Sequence, residues 1–108
     1  MFDVACVGNI VADVIVRVVD ELPPKGKLVF KESISLYNGG CAMSSSIDLS
    51  ILGAKSAIIA KIGGDSFGEF LKSVLVKNNV DITGLKTSEY PTSASVALIS
   101  SDSSRSGI

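Results

Sequence analysis

Histidine is absent from this 108-residue chain. That removes Ser-His-Asp and Cys-His nucleophilic triads, and histidine-based zinc sites, as sources of chemistry. Cysteine is scarce. Cys6 and Cys41 are far apart, form no Cys-x-x-Cys pair, and beside apolar neighbours read as small core residues. Few cysteines, and a start (Met1-Phe2-Asp3) without a positive leader region, point to the cytoplasm. No apolar run approaches the ~20 residues a membrane helix needs. The 10 basic and 11 acidic residues leave a formal net charge of −1 with no basic cluster, so neither nucleic acid nor a membrane is an expected partner. What is present is a globular composition: 46% hydrophobic and 19% charged residues suit one packed domain.

Along the chain, Val4–Val7 reads as a short buried strand ended by Gly8-Asn9. Ile10–Val19, rich in β-branched residues, reads as an extended strand, and Leu22-Pro23-Pro24-Lys25-Gly26 as a turn. Leu28–Leu36 alternates like a second, partly exposed strand. After Asn38-Gly39-Gly40 a helix is predicted over about Ala42–Leu52, closed by Gly53. It is apolar around much of its circumference, the pattern of a helix packed on more than one side. Ala57–Ile62 is a second buried strand. Ser66 and Glu69 form a capping-box pattern, and Phe67, Phe70, Leu71, Val74 and Leu75 then mark an amphipathic helix that Asn78-Asn79 stops. Val80–Leu85 reads as a short connecting strand, Ala94–Ile99 as a final strand, and Ser100–Ile108 as a polar tail. Strand, helix, strand, helix in this order predicts an α/β sandwich with a largely parallel sheet. The two extended segments before the first helix predict a small antiparallel flap carried on it.

Three loops hold the candidate chemistry. In Gly8-Asn9-Ile10-Val11-Ala12-Asp13, the aspartate can accept hydrogen bonds from sugar hydroxyls; the alternative is a turn with a solvated acid. In Asn38-Gly39-Gly40-Cys41-Ala42-Met43-Ser44, paired glycines at a helix start bring backbone N–H groups close to a ligand; the alternative is a tight strand-to-helix turn. Gly63-Gly64-Asp65-Ser66-Phe67-Gly68 is favoured as a helix-capping turn, with Asp65 or Ser66 satisfying free N–H groups. The chain has neither Gly-x-Gly-x-x-Gly after its first strand nor a Walker A loop, which excludes two common nucleotide cradles.

Taken in order and spacing, these loops resemble the ribokinase-like family, the PfkB carbohydrate kinases. The resemblance rests on the opening strand with Gly8–Asp13, on Gly39-Gly40 followed by a small-residue helix closing at Leu52-Gly53, and on Lys61-Ile62-Gly63-Gly64-Asp65-Ser66-Phe67-Gly68. Thr92-Ser93-Ala94 and Ser103-Ser104-Arg105 match the flanks of a lid strand. It implies transfer of the γ-phosphate of ATP, with Mg, to a hydroxymethyl group of a sugar or nucleoside. It also implies substrate contacts at Asp13, Gly39, Gly40 and Ser44, the last standing where the family usually has asparagine. Lid segments are implied at about 10–36 and 90–100. Val14, Val16, Val29 and Phe30 would be buried there against a second subunit. The family's catalytic base and anion hole, in a Gly-x-Gly-Asp motif, are implied to lie beyond this length. Residues 1–108 would then form an N-terminal part with no catalytic residue, no metal ligand and no ATP site of its own. The competing expectation is a truncated, non-catalytic fragment or sugar-binding module.

Overall fold

A computed structural model describes all of residues 1–108. The elements are β1 (Val4–Val7), β2 (Val11–Arg17), β3 (Ser33–Gly39), α1 (Cys41–Ile51), β4 (Ser56–Gly63), α2 (Ser66–Lys77), β5 (Asp81–Ser88), β6 (Ala94–Ile99) and β7 (Arg105–Gly107). They fall into two compact units: Met1–Ala12 with Asn38–Ala94, and Asp13–Tyr37 with Ser95–Ile108.

The first unit holds a parallel sheet in the order β1-β4-β5, in register at Cys6↔Ile58, Ile59↔Gly84 and Lys61↔Lys86. Strand periodicity sends Cys6, Ile58 and Ile62 to one face, where Met43 and Ile47 of α1 and Leu71 and Leu75 of α2 close the core. Ile58, Leu71 and Leu75 are wholly buried, each contributing about 1.5–3 kcal/mol of transfer free energy. The polar groups in this core are satisfied: Ser46 Oγ donates to the Met43 carbonyl and Ser56 Oγ to the Ser46 carbonyl.

Several expectations are corrected here. Val7 of the supposedly buried first strand is 71% exposed, because within these residues both helices cover the same sheet face. For the same reason α1 packs on one side only, leaving Ile51 and Leu52 at 69% and 82% exposure. Cys6 is buried as expected, but Cys41, the first residue of α1, is exposed. The segment 80–85 is no mere connector, since β5 is a full partner of β4. The Gly53 stop is present (φ +100) and Asn79 adopts the left-handed conformation that ends α2 (φ 61).

The second unit contains most of a four-stranded sheet in the order β3-β2-β6-β7. The polar tail forms a strand after all: β7 pairs antiparallel with β6 at Leu98↔Ser106 and Ile99↔Arg105. Between β2 and β6, Asp13 bonds to Ser95 and the Val19 N–H to the Ile99 carbonyl, so these two strands advance in the same direction. Leu28 and Phe30, expected in a strand, lie outside β3 and are almost fully exposed.

Candidate functional site

Asp13 sits on β2 in the second unit, half-buried. Its Oδ1 accepts a hydrogen bond from Ser95 Oγ on β6, while its Oδ2 takes no donor from the protein and is not sealed from solvent. Other carboxylates are engaged in holding the backbone. Asp81 and Asp102 accept N–H groups two residues ahead, Asp20 accepts from Ser101, and Asp3 accepts from the Lys55 N–H. Asp13 is half-buried and keeps one oxygen free for a hydroxyl donor.

Gly39, Gly40 and Ser44 belong to the first unit. Gly39 ends β3, and Gly40 is the N-cap of α1 with φ +94 and no side-chain cap. A Cβ on Gly40 would collide with the Asn9 carbonyl oxygen and lie 2.8 Å from Ile10 Cα. The Ala42 N–H donates to that Asn9 carbonyl at 3.3 Å. The Gly8–Ile10 turn and the Gly-Gly turn, read separately in the sequence, thus meet backbone to backbone. Ser44 stands one turn into α1, exposed, with its N–H bonded to the Gly40 carbonyl at 3.0 Å.

Asp65 has a different task. It is the N-cap of α2, as the capping-turn reading expects, accepting the Gly68 N–H at 2.9 Å, and the Ser66–Glu69 box does not form. It also accepts Thr92 Oγ1 at 2.6 Å and the Thr92 N–H at 2.9 Å, and Thr92 Oγ1 in turn accepts the Gly63 N–H at 2.8 Å. This clasp joins segments 27 residues apart and was not predicted as a contact; the only sequence sign was that both residues fall in the segments of the family resemblance. The Thr92 hydroxyl, then the Thr92 and Gly68 N–H groups, hold the Asp65 carboxyl below its ordinary value of 3.8. A depressed pKa stabilises the fold above the unfolded value, and the contribution is lost as pH falls through the folded one. The urea midpoint should therefore drop on acidification below about pH 4, and Asp65→Asn should be less stable at neutral pH with a flatter acid limb. Parallel acid limbs in the two proteins would refute the clasp.

Over the face of the β1-β4-β5 sheet that the helices leave open lies a groove of about 600 Å³. Val7, Asn9, Ile59, Lys61, Lys86 and Ser93 line it. None of Asp13, Gly39, Gly40 or Ser44 does. The lysine pair escaped the sequence reading because only the β4–β5 register sets Lys61 beside Lys86.

No three or more Cys, Asp or Glu side chains are grouped to hold a metal ion. The α2 N-terminus, a natural phosphate cradle, is already occupied by the Asp65 carboxylate. The α2 start therefore offers no phosphate site, and these side chains do not fit Mg.

The model of the pfkB family carbohydrate kinases matches residues 1–107. This chain belongs to the pfkB family. The pfkB chain is 35% identical over 86 residues to the sugar kinase PH1459 of Pyrococcus horikoshii, covering 80% of this chain and 26% of that protein. It is 31% identical over 77 residues to the ribokinase of Mus musculus, covering 71% and 24%. The crystal structure of the uncharacterized P. horikoshii sugar kinase in complex with ATP superposes with TM-score 0.77 at 30% identity, over 96% of this chain and 32% of that one. Arabidopsis thaliana ribokinase complexed with ribose and ATP shares the fold, with TM-score 0.86 at 21% identity over 96% and 34%. The pfkB chain spans about a quarter of the length of the curated relatives it matches. None of its helices is long and apolar enough to cross a membrane.

Proposed function

We propose that this chain supplies the substrate-binding part of a cytoplasmic kinase that phosphorylates a hydroxymethyl group of a sugar or nucleoside. Asp13, Gly39, Gly40 and Ser44 are its proposed substrate contacts, and the sheet of the second unit is its proposed lid. The observation that carries the reading is the Asp13 carboxylate: half-buried, with one oxygen left free, on a strand of a carbohydrate-kinase fold. A carboxylate accepts from neutral hydroxyls with charge assistance, the stronger class of hydrogen bond. The start of α1, without a side-chain cap, adds the positive end of a helix for a polar group of the same class of ligand. ATP and Mg are proposed for the family-length polypeptide, and no contact with either is assigned to residues 1–108. Exposed Leu28, Val29 and Phe30 in the second unit support self-association through the lid, which sedimentation velocity reads directly.

A second reading is a sugar-binding module without kinase activity. Both readings share a first test, and a family-length polypeptide separates them. The 108-residue chain, given Mg-ATP and D-ribose, D-fructose or adenosine, should bind one of them by calorimetry and release no ADP above background. In-line phosphoryl transfer needs a positioned nucleotide and a base, and neither is proposed within residues 1–108. ADP release that Asp13→Ala abolishes would show a complete catalytic apparatus within these residues. Absence of binding to every sugar and nucleoside would reject the substrate-binding reading. The binding module is preferred if a family-length polypeptide carrying this segment binds sugar yet turns over no ATP.

A further inference from the structure

Ser95 is absent from the set of substrate contacts that the family resemblance implies, yet it is the partner of the proposed anchor. Its Oγ donates to Asp13 Oδ1 across neighbouring strands of one sheet, and both residues are half-buried in the second unit. A hydroxyl has one proton and two lone pairs; a carboxylate only accepts. Once the Ser95 proton is committed to Asp13, the pair presents acceptors alone: the free Oδ2 and the lone pairs of Ser95 Oγ. The bond also removes rotamer freedom from Asp13, which otherwise lacks a protein partner. Two acceptors on neighbouring side chains are met by two adjacent hydroxyls that both donate, and one hydroxyl leaves half of the pair unsatisfied.

We infer that Ser95 is a positioning and specificity residue that fixes the Asp13 carboxylate and, with it, selects substrates carrying a vicinal diol. The inference rests on the reading of Asp13 as substrate anchor. Asp13 provides the charge, and Ser95 sets its orientation and adds the second acceptor. Ser95→Ala keeps the Cβ and the strand, and removes both effects. Ser95→Thr keeps the hydroxyl and the β-sheet preference.

The test is calorimetric titration of the full chain with D-ribose, D-fructose and adenosine, each beside an analogue lacking one hydroxyl of a vicinal pair: 2-deoxy-D-ribose, 3-deoxy-D-fructose and 2′-deoxyadenosine. For the ligand that binds, the wild type should prefer the diol by about 10-fold or more, the equivalent of one hydrogen bond to a charged group. Ser95→Ala should bring that preference to within about 3-fold, Ser95→Thr should restore it, and both should keep the wild-type thermal midpoint within a few degrees. A purely structural Ser95 would move the midpoint and leave the ratio alone. If Asp13→Ala loses binding while Ser95→Ala keeps the wild-type ratio, the Ser95 inference is overturned and the Asp13 reading stands. If Asp13→Ala binds as the wild type does, or the wild type binds none of the six ligands, both fall together.

Discussion

Gly40→Ala should cost this protein about 2–5 kcal/mol of stability, the sum of a non-glycine residue forced to positive φ and a side chain driven into packed backbone. At φ +94 an L side chain is strained even in open space, and here the space is taken by the Asn9 carbonyl and Ile10 Cα. The obstruction cannot swing away cheaply. The Asn9 carbonyl holds the Ala42 N–H, and Ile10 is buried in the core of the first unit. Against a total stability of roughly 5–15 kcal/mol, such a loss lowers the thermal midpoint by about 10 °C or more. Gly39 has no positive φ and escapes the conformational part of this cost. Scanning calorimetry of both alanine variants reads the difference. Equal midpoints would show that the turn relaxes and that Gly40 is dispensable to the fold. The paired glycines are therefore not equivalent: the backbone itself demands the second, whatever that turn also does for a ligand.

Asp13→Ala should do the opposite, lowering ligand affinity by about 10- to 100-fold, the loss of one or two charge-assisted hydrogen bonds, with little change in thermal midpoint. Its one protein partner is Ser95, whose hydroxyl can turn to solvent from its half-buried strand. Asp65 is the natural contrast, because its three donors tie a helix start to a distant segment, so its removal should be felt first in stability. Isothermal titration with the ligand that binds, beside thermal melts of Asp13→Ala and Asp65→Ala, separates the two aspartates. A collapse of the Asp13→Ala midpoint would make that residue structural.

Where helix spacing and turn residues set the structure, the sequence reading largely agrees with it. The α2 spacing of Phe67, Phe70, Leu71, Val74 and Leu75 is a contact pattern along one helix, and Leu71 and Leu75 are buried as that pattern requires. The stops at Gly53 and Asn79 are equally local, because they depend on which residues tolerate positive φ. Elements defined by their neighbours were misjudged. β5 looks like a connector until β4 pairs with it, β7 looks like a tail until β6 does, and Leu28 and Phe30 have strand-like composition without a strand.

The same division runs through the candidate site. Composition excluded histidine chemistry, and the order of the three loops pointed to the carbohydrate-kinase family that the match over residues 1–107 establishes. The residue types at Asp13, Gly40 and Asp65 were legible one by one. The Asp65 cap was legible too, but the distant partners were not, because a carboxylate's full role depends on how many donors reach it. Ser95 and Thr92 lie 82 and 27 residues from the acids they serve. Sequence alone determined the periodicities, the turn-forming positions and the family, since each is written in neighbouring residues or their order. Only tertiary structure decided that Asp65 is saturated and Asp13 is not, because hydrogen-bond saturation is set by groups that folding brings together across long stretches of chain.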